Sequence, residues 1–483
     1  MAAFVLVMAC LGMLLSDWPV WWPPLPGAVK HLANVATESY SNGRHFLFDR
    51  YQRKMPRTVQ SQPVTIVAID EKSLAQLGQW PWPRHRLAAL IDAIAQQDPA
   101  AIGLDIYMPE ADQTSPAQVA QGLQRTQAPL AEQLRTLPSN DQLLARSLSR
   151  SPTVLGAAGF DFKTYTTTPG LRTWPVQLQG ADSLPPSARH YPAVLASLPL
   201  LQSAAAGQAL LNVDADDGTV RRMPLVASVG GQPVPSLAIE MFRVALGVPG
   251  TQVHIGPHGI ESVRVGDLQV PTQPNGDVLV HFAPKADTLQ RYVSAIDVLQ
   301  GRVNPEALNG KLVLIGLTGM GLNDMKRTAL GEHVPGLEIQ AQFIEAMFEA
   351  QLLQRPWWML FAEIGCALLV GGLMIWLLPR VQPTHRLGAI YRMPMAGVIG
   401  SFGINAIAVG TGFYLFYAHG LLFDAASFFL VTSLVFGMIF TFVQASAAKA
   451  KEDLWNRQWD ELQQRAERAE AALQTHTSTG NST

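Results

Sequence analysis

Two carboxylates near the ends of two apolar segments are the residues best placed for chemistry. Asp70 follows VTIVAI, from Val64 to Ile69, and Asp105 lies inside AIGLDIYM, from Ala101 to Met108. Such segments are typical of buried strands, and their spacing around a helix predicts two adjacent parallel strands. Open α/β sheets bind ligands at the carboxyl ends of their strands, so the pair could contact a ligand, hold a cation or act as acid and base. The structural alternative is that both carboxylates pair with arginines or backbone donors.

The stretch GQWPWPRHR, from Gly78 to Arg86, lies between these two segments. Tryptophans and prolines in alternation indicate a rigid turn with large apolar faces. One interpretation is a loop that contacts a ligand through Trp80, Trp82 and Arg84. The other is a turn that seals one end of the sheet while Arg84 caps or pairs with Asp70. Both stay open, and the candidate ligand-binding residues are Asp70, Trp80, Trp82, Arg84 and Asp105.

Three further patterns are weak. The acidic run 214–218 favours a hairpin turn over a calcium loop, because Val226 lies near the position where such a loop needs glutamate. The turn at Gly319–Gly321 lacks the Gly-Lys-Ser/Thr ending of a phosphate loop. Glu363 lies within an apolar segment, where it could snorkel, pair between helices or have a functional role. We therefore predict no catalytic residue, no metal site and no cofactor.

The elements that must position these residues precede three long apolar segments, at 357–378, 393–418 and 421–443. Each has the roughly 20 residues that a helix needs to cross a bilayer. Basic residues lie in the 379–392 connection and just after the third segment, whereas the connection between the second and third has no lysine or arginine. The positive-inside rule then predicts that the 379–392 loop and the tail are cytoplasmic and that the long preceding region is exported.

Both ends of the chain carry further signals. Residues 1–22 are predicted to be an uncleaved signal anchor, with a cleaved signal peptide as the alternative. Residues 23–44 are a connector that is expected to be helical after its proline cluster, and the base-rich stretch HFLFDRYQRKMPR that follows is expected to be solvated. After the third span, an apolar seam with alternating spacings of four and three predicts a cytoplasmic coiled coil over 446–473 and a disordered tail over 474–483. The seam consists of Trp455, Trp459, Leu462, Ala466, Ala469 and Leu473.

Composition supports this organisation. The chain has 483 residues, of which 15% are charged, a low fraction for a soluble protein. The net charge of -2 gives no support for a nucleic-acid partner. Both cysteines fall in apolar segments, so the exported region forms no disulfide. The predicted fold is an α/β domain with a parallel or mixed sheet, followed by an α-helical membrane bundle.

The run VTIVAIDEKSLAQLGQWPWPRHRLAALIDAIAQQDPAAIGLDIYMPE resembles the opening of the second class of CHASE domains. These are extracellular sensory modules associated with cyclases and histidine kinases. The likeness continues over residues 45–356 in LLNVDADDGTVRRMPLV, PSLAIEMFRVAL, KLVLIGLTGMGLNDMK and VPGLEIQAQFIEAMFEAQLLQRPWW. It implies a bacterial inner-membrane receptor with a periplasmic α/β sensor. Family members typically continue into an effector domain, for which residues 446–483 are too short.

The leading hypothesis is therefore a multi-pass transmembrane sensor without its own enzyme. A small-molecule or other envelope cue would change the periplasmic domain, and the helical segment 337–356 would move the three-span bundle. The coil would report this movement by homodimerisation or by docking a separate cytoplasmic effector, such as a cyclase or kinase. The alternatives are a membrane-anchored periplasmic enzyme that acts through Asp70 and Asp105, and a scaffold for an envelope complex.

Overall fold

A computed structural model of the chain describes residues 1–21, 27–123, 126–162, 170–322, 325–377 and 394–479. The 379–392 loop of the predicted topology lies outside these residues. The chain divides into two units. The first contains Leu15–Phe361 and Thr411–Asp424, and the second contains Met1–Leu14, Ala362–Gly410 and Ala425–Thr483.

The elements follow one another along the chain without long unstructured insertions in the described parts. The helices are α1 (Ala2–Trp21), α2 (Gly27–Lys54), α3 (Glu71–Leu77), α4 (Arg84–Ala95), α5 (Pro116–Leu123), α6 (Ala128–Arg135), α7 (Asn140–Leu148), α8 (Pro199–Ala204), α9 (Leu237–Ala245), α10 (Lys285–Thr288), α11 (Ala295–Leu299), α12 (Gly336–Phe348), α13 (Trp357–Leu377), α14 (Pro394–His419) and α15 (Ala425–Thr479), with short 3-10 helices at Leu289–Arg291 and Pro305–Ala307. The strands are β1 (Val64–Ile69), β2 (Ala101–Leu104), β3 (Thr153–Phe160), β4 (Val176–Gln179), β5 (His190–Tyr191), β6 (Ala193–Leu195), β7 (Gly207–Leu210), β8 (Asp214–Asp216), β9 (Thr219–Pro224), β10 (Val226–Val229), β11 (Gln232–Pro235), β12 (Thr251–Gly256), β13 (Gly259–Val265), β14 (Leu268–Pro271), β15 (Asp277–Leu279), β16 (Tyr292–Ser294), β17 (Leu312–Leu317), β18 (Met325–Thr328) and β19 (His333–Pro335).

The largest sheet has seven strands among the described residues, in the order β16, β1, β17, β2, β3 and β6, with β7 also pairing with β3. All neighbours are parallel except β3 and β6. The predicted parallel or mixed sheet is thus confirmed. The predicted adjacency of β1 and β2 is wrong, because β17 lies between them and pairs with both. A strand that arrives about 200 residues later in the chain thus completes the centre of the sheet.

Helices cover both faces of this sheet, which is why β1 is buried along its whole length. On one face, α4, α7, α8 and α11 contribute to a single apolar core with the strands. On the other face, α9 contacts β2 and β3, and α12 contacts β1 and β17. Three layers follow from the continuously apolar sequence of the central strands, since neither face of such a strand tolerates water.

Smaller sheets extend this core. Strands β14, β13, β12 and β4 form one of them, and β11, β10 and β5 form another. A further sheet places β9 between β15 and β18, with β8 and β19 at its margins. The acidic run between β8 and β9 is a hairpin turn, as predicted: Asp217 and Gly218 have φ of 52° and 72°, the backbone conformation that type I′ turns require.

The second unit is helical. Among the described residues, α13 and the Ala425–Ala469 part of α15 are long and apolar enough to cross a membrane, and Ala2–Asp17 is a shorter apolar helix. Helix α14 covers the second predicted span. Helices α1 and α13 approach closely, since a Cβ at Gly371 would lie 2.7 Å from Leu6 Cδ1. Helices α14 and α15 share a hydrogen bond of 2.9 Å from Thr432 Oγ1 to Asn405 Oδ1.

The structure corrects three sequence expectations about connections. Helix α2, Gly27–Lys54, covers the described part of the predicted connector and most of the base-rich stretch, whose Phe48, Tyr51 and Arg57 are buried rather than solvated. Helix α15 continues from the third predicted span to Thr479, so the expected disorder from 474 is wrong up to that residue, because a helix nucleated in the span propagates at little cost. Finally, α12 is not continuous with α13, since residues 349–356 separate them.

Gly103 provides a test of the close contact between β2 and α9. A Cβ at this position would collide with Met241 Sδ and lie 2.9 Å from Leu314 Cδ2. We expect Gly103→Ala to lower the free energy of unfolding by about 1–3 kcal/mol because the core is overpacked. Gly122→Ala, in helix α5, is the control: nothing lies within 4 Å of its Cβ, so it should be neutral or stabilising. Thermal unfolding of the detergent-solubilised protein measures both, and equal melting temperatures for the two variants would contradict the packing assigned to β2.

Candidate functional site

Asp70 has a structural role at the carboxyl end of β1. It is the N-cap of α3, and its Oδ1 accepts hydrogen bonds from Ser73 N at 2.9 Å and from Ser73 Oγ at 2.7 Å. Ser294 Oγ, at the end of the neighbouring strand β16, donates to the same oxygen at 2.7 Å. These bonds fix the start of α3. Arg84, one of the partners that the sequence proposed for Asp70, is engaged elsewhere.

The tryptophan loop seals the end of the core on the α4 side. Trp82 is 1% exposed, belongs to the main apolar cluster, and donates from Nε1 to Gly78 O at 2.9 Å. Trp80 is half-buried against it, with ring centroids 5.9 Å apart. Arg84 opens α4, where its backbone N donates to Asp112 Oδ2 at 2.7 Å and its Nε lies 3.9 Å from Asp141 Oδ1. These contacts are those of the sealing turn that the sequence offered as an alternative, with different partners for Arg84.

Asp105 is half-buried directly after β2, and its backbone N donates to Ile315 O at 2.9 Å. Because β17 separates β1 from β2, Asp70 and Asp105 are two strand spacings apart, roughly 9–10 Å along the sheet edge. The structure therefore does not bring the two carboxylates together as an acid–base pair. Among the described residues, no group of three or more His, Cys, Asp or Glu side chains could hold a metal ion.

Helix α12 carries a buried polar stripe that the sequence reading did not identify. Its members, Glu338, Gln342, Glu345 and the C-cap Glu349, recur at spacings of four, three and four, so they share one face. Glu338, Gln342 and Glu345 are each at most 1% exposed. Burial of that many polar groups is costly unless each finds a partner.

Two buried arginines satisfy this stripe, and we call the ensemble the arginine network. Arg57, in the segment after α2, reaches Glu345 Oε2 at 3.0 Å and Glu349 Oε2 at 2.8 Å. Arg291, just before β16, reaches the same Glu345 oxygen at 2.6 Å and Glu338 Oε1 at 3.4 Å. The guanidinium of Arg57 is fully buried and that of Arg291 is 1% exposed. One carboxylate oxygen of Glu345 thus joins two separate parts of the chain to α12.

Neutral donors complete the arginine network. Tyr292 Oη donates to Glu338 Oε2 at 2.7 Å, and Gln342 Nε2 donates to Glu338 Oε1 at 3.0 Å. At the other end, Ser61 donates to Glu349 Oε1 from its backbone N at 2.8 Å and from its hydroxyl at 2.9 Å. Helix α12 is therefore held along its whole length by charged or hydrogen-bonding contacts, in addition to its apolar packing on the sheet.

The carboxylates of the arginine network differ in proton affinity. Burial raises the pKa of Glu345, and the nearby Arg291 and Arg57 oppose that effect only in part. Burial would also raise the pKa of Glu349, but hydrogen bonds from Ser61 and Gln60 and the charge of Arg57 hold it below the usual range. The proton that enters the network as pH falls is therefore expected at Glu345 before Glu349.

A second set of ion pairs, which we call the junction cluster, consists of Asp17, Arg44, Arg355 and Asp424. Arg44 Nη1 lies 2.5 Å from Asp17 Oδ1, and its Nε lies 3.2 Å from Asp424 Oδ2. Arg355 Nη2 lies 2.7 Å from Asp17 Oδ2. In the sequence, Arg355 stands two residues before α13 and Asp424 stands directly before α15. The cluster thus ties together the chain positions from which the two apolar helices start.

Backbone hydrogen bonds reinforce the same connection. The 349–356 linker follows α12, and within it Gln354 N donates to Gly420 O at 2.8 Å. Leu422 N in turn donates to Gln354 O at 2.9 Å. Gly420 has a φ of 63°, a conformation that glycine adopts without strain. The linker and the 420–424 loop therefore form one short paired segment.

Glu240, on α9, is an additional buried carboxylate outside both clusters. It is 1% exposed on α9, and its Oε1 accepts from Arg243 Nη2 at 2.8 Å. Arg243 also lies over the ring of Trp174, 5.0 Å from its centroid. Burial raises the pKa of Glu240 to about 7, against the opposing effect of Arg243.

Part of this arrangement had a signal in the sequence. The spacing of Glu338, Gln342, Glu345 and Glu349 on an otherwise apolar helix indicates a polar stripe that needs partners. The partners had no such signal, because Arg57 lies in a base-rich stretch that reads as solvated. The junction cluster had none either, since its members are scattered over 400 residues of sequence.

Removal of the Arg57 guanidinium should be strongly destabilising. Arg57→Met leaves Glu345 and Glu349 buried without that cation, and we expect a loss of about 3–5 kcal/mol in the free energy of unfolding. Arg302→Met is the matched control, because Arg302 pairs with Asp297 at the surface, where such pairs contribute about 0–1 kcal/mol. Thermal or urea unfolding in detergent compares them. A loss at Arg57 no larger than that at Arg302 would show that the network does not hold α12.

Glu240 predicts a specific pH dependence. Its folded pKa of about 7 lies above the ordinary value of 4.5, so the folded state binds the extra proton between these values. This proton contributes about 1–3 kcal/mol to the free energy of unfolding. The contribution is present in full below about pH 4.5 and is lost as the pH rises through 7. Glu240→Gln should remove this component. Melting temperatures of both proteins at pH 5 and pH 8 test it, and parallel pH profiles would contradict the assignment.

Comparisons with known proteins agree with the fold and with the motifs of the sequence. A family model for the CHASE2 domain matches residues 31–375, well over half of the chain, and no effector domain is matched. A search of the curated proteins found no match, and a search of the solved structures found none. The chain therefore belongs to the CHASE2 family, whose domains are extracellular sensors.

Proposed function

We propose that the protein is a transmembrane sensory receptor that detects a periplasmic cue and transmits it through a helical membrane module to a cytoplasmic coil. The observation that carries the proposal is the connection of α12. The arginine network binds this helix to the sensor core, and its linker hydrogen-bonds the loop that leads into α15. A sensor needs an element of this kind, because its position depends both on the sensor core and on the loop that leads into the next helix.

The proposed membrane module comprises the anchor at 1–22 and the spans at 357–378, 393–418 and 421–443, in a bacterial inner membrane. The apolar length of α13 and α15 supports it. So does the close approach of Leu6 to Gly371, because small residues at helix contacts are typical of membrane bundles. The basic residues at 379–392 and after 443 favour a periplasmic sensor domain at 45–356 and a cytoplasmic C-terminus.

Transmission in this proposal runs through covalent and hydrogen-bonded neighbours. A cue that binds one arrangement of the sensor domain more tightly than another favours that arrangement, and α12 moves with it. The linker follows α12, and the bonds of Gln354 pass the movement to the 420–424 loop. Asp424 stands directly before α15, so a displacement of that loop acts at the start of the longest helix in the chain.

The proposed output is the cytoplasmic part of α15. Trp455, Trp459 and Leu462 of the predicted seam are 66%, 54% and 58% exposed on a single chain. Aromatic residues repeated at heptad spacing on an exposed helix favour a parallel homodimer, in which they would be covered. A separate cyclase or kinase would read the dimer. The proposal assigns no catalysis to Asp70, because its Oδ1 is already occupied by three structural hydrogen bonds.

Cysteine crosslinking tests both the dimer and its coupling to the sensor. In a chain with Cys10→Ala and Cys366→Ala, we expect Trp459→Cys to form an intermolecular disulfide in native membranes. Gln464→Cys, on the opposite side of the helix, should crosslink at least several-fold more slowly. Adding Arg57→Met should change the rate at position 459, whereas adding Arg302→Met should leave it unchanged.

Each result separates one part of the proposal from another. Equal rates at positions 459 and 464 would exclude a dimer through the seam. A seam-specific rate that ignores Arg57→Met would leave the dimer standing but exclude transmission through the arginine network. Expression levels and membrane insertion of every variant serve as the control for misfolding.

A further inference from the structure

A cavity of about 470 Å³ lies beside the carboxyl ends of β3 and β7, two neighbouring parallel strands of the main sheet. Its wall comes from separate parts of the chain: 159–162 at the end of β3, 187–191 around β5, Asn212 after β7 and Asn275 before β15. The volume is within the roughly 300–1,000 Å³ of pockets that enclose small-molecule ligands. Open α/β sheets bind their ligands at this edge. The cavity therefore has the position and the size of a small-molecule site.

Two side chains of the wall are held in place by Gly159. Asn212 Oδ1 accepts a hydrogen bond from Gly159 N at 2.7 Å, and Asn212 Nδ2 donates to Gly159 O at 2.9 Å. The ring of Tyr191 packs on the same glycine, because a Cβ at Gly159 would lie 2.5 Å from Tyr191 Cδ2. Both side chains are thus positioned before a ligand arrives, which lowers the entropic cost of binding.

The polar groups of this wall keep unused hydrogen-bonding capacity. An amide nitrogen has two N–H groups and an amide oxygen two lone pairs, so Asn212 can still donate once and accept once. Tyr191 Oη has no hydrogen bond to the residues that the structure describes, and burial raises the pKa of this hydroxyl, so it stays neutral. His190 is exposed, and its Nδ1 lies 3.2 Å from Ser228 Oγ, which leaves Nε2 for a ligand.

The charges of the wall do not favour an ionic ligand. The described lining residues include one acid, Asp161, and one residue of fixed positive charge, Arg189, so their formal charges cancel. Arg189 Nη2 lies 3.9 Å from Asp277 Oδ2 and so already faces a carboxylate. Asp161 is exposed, and solvent screens its charge. Recognition in this cavity therefore depends on neutral donors and acceptors.

Phe160 and Phe162 add an apolar surface to the wall. Their ring centroids are 6.1 Å apart with the planes inclined at 56°, and Phe162 is 63% exposed. A sugar has hydroxyl groups that both donate and accept at the edge of its ring, and C–H groups on the faces of the ring. Amide, phenol and imidazole groups beside aromatic rings therefore match a sugar better than they match an ion or a hydrocarbon.

The segment after β7 connects the cavity to α12. Leu211, the chain neighbour of Asn212, donates from its backbone N to Ala157 O in β3 at 2.9 Å. Gln340 of α12 is 1% exposed and donates from Nε2 to Leu211 O at 3.3 Å. A ligand that bonds to Asn212 thus contacts a segment that is itself bonded to α12.

We propose that this cavity binds a neutral, hydroxyl-rich ligand of the sugar class, a mono- or disaccharide. The sugar hydroxyls would bond to Asn212, Tyr191 and His190, and a C–H face would pack against Phe162. The proposal deepens the sensor function proposed above and rests on it for the consequence of binding. The sugar would be the periplasmic cue, and its bonds would act on α12 through residues 211–212.

Isothermal titration calorimetry of the full-length protein in nanodiscs tests the proposal. The probes are D-glucose, D-galactose, D-ribose and maltose, each titrated separately. Citrate and putrescine serve as an anionic and a cationic comparison at the same ionic strength. We expect saturable binding of at least one sugar with a Kd of about 1 mM or lower, and no saturable binding of either ion.

Variants connect the binding to the cavity. Tyr191→Phe should raise the Kd about two- to tenfold, since it removes one neutral hydrogen bond, and Tyr191→Phe with His190→Ala should raise it by about tenfold or more. Ser187→Phe places a ring in the cavity and should abolish binding, so it provides the test if the first variants fail to fold. Tyr107→Phe is the matched control, because Tyr107 is 44% exposed and lies outside the cavity, and it should bind like the wild type.

The outcomes are distinct. Absence of saturable binding by all four sugars overturns the proposal, as does binding of citrate or putrescine alone. Sugar binding that the double variant and Ser187→Phe leave unchanged overturns the assignment to this cavity. The crosslinking at position 459 is then repeated at a saturating concentration of the bound sugar. Binding without a change in that rate supports the site and contradicts the proposed transmission, so the two failures are distinguishable.

Discussion

The buried arginines impose the constraint on which the rest of this structure depends. Helix α12 brings three carboxylates into the interior, and in the part of the chain that the structure describes, Arg57 and Arg291 offset their charge from outside the helix. Such pairs are expensive to desolvate, so they favour one arrangement of the chain over others more than they add net stability. Arg57 must therefore arrive from the end of α2 and Arg291 from the start of β16, and both segments are fixed by that requirement.

The same constraint explains why α12 is suited to move as one body. Its apolar side packs on β1 and β17, while its polar stripe is bonded at both ends, to Tyr292 through Glu338 and to Ser61 through Glu349. In the proposed sensor, a change in the core that alters one of these contacts acts on the whole helix. In the proposed sensor, the non-helical linker after α12 permits a change of direction, which an unbroken helix into α13 would resist, and the bonds of Gln354 pass that change to a single loop.

The two aspartates at the carboxyl edge of the sheet do not form a shared ligand site. Asp70 and Asp105 stand where ligands bind in many α/β sheets, but insertion of β17 separates them and the cap of α3 occupies Asp70. The tryptophan loop beside them closes the core through Trp82 instead of opening a pocket. The ion pairs of the junction cluster are built differently, because their four members come from four separate segments of the chain.

The sequence by itself determined the properties that depend on neighbouring residues. Apolar runs predicted β1 and β2, the hairpin at Asp217–Gly218 followed from its turn residues, and apolar length predicted α13 and the start of α15. The ordered motifs also indicated the CHASE2 family. Only the tertiary structure decided that β17 lies between β1 and β2 and that Arg57 is buried. The bond from Arg57 to Glu345 joins residues 288 positions apart, and no local pattern encodes a contact between segments that meet only when the chain has folded.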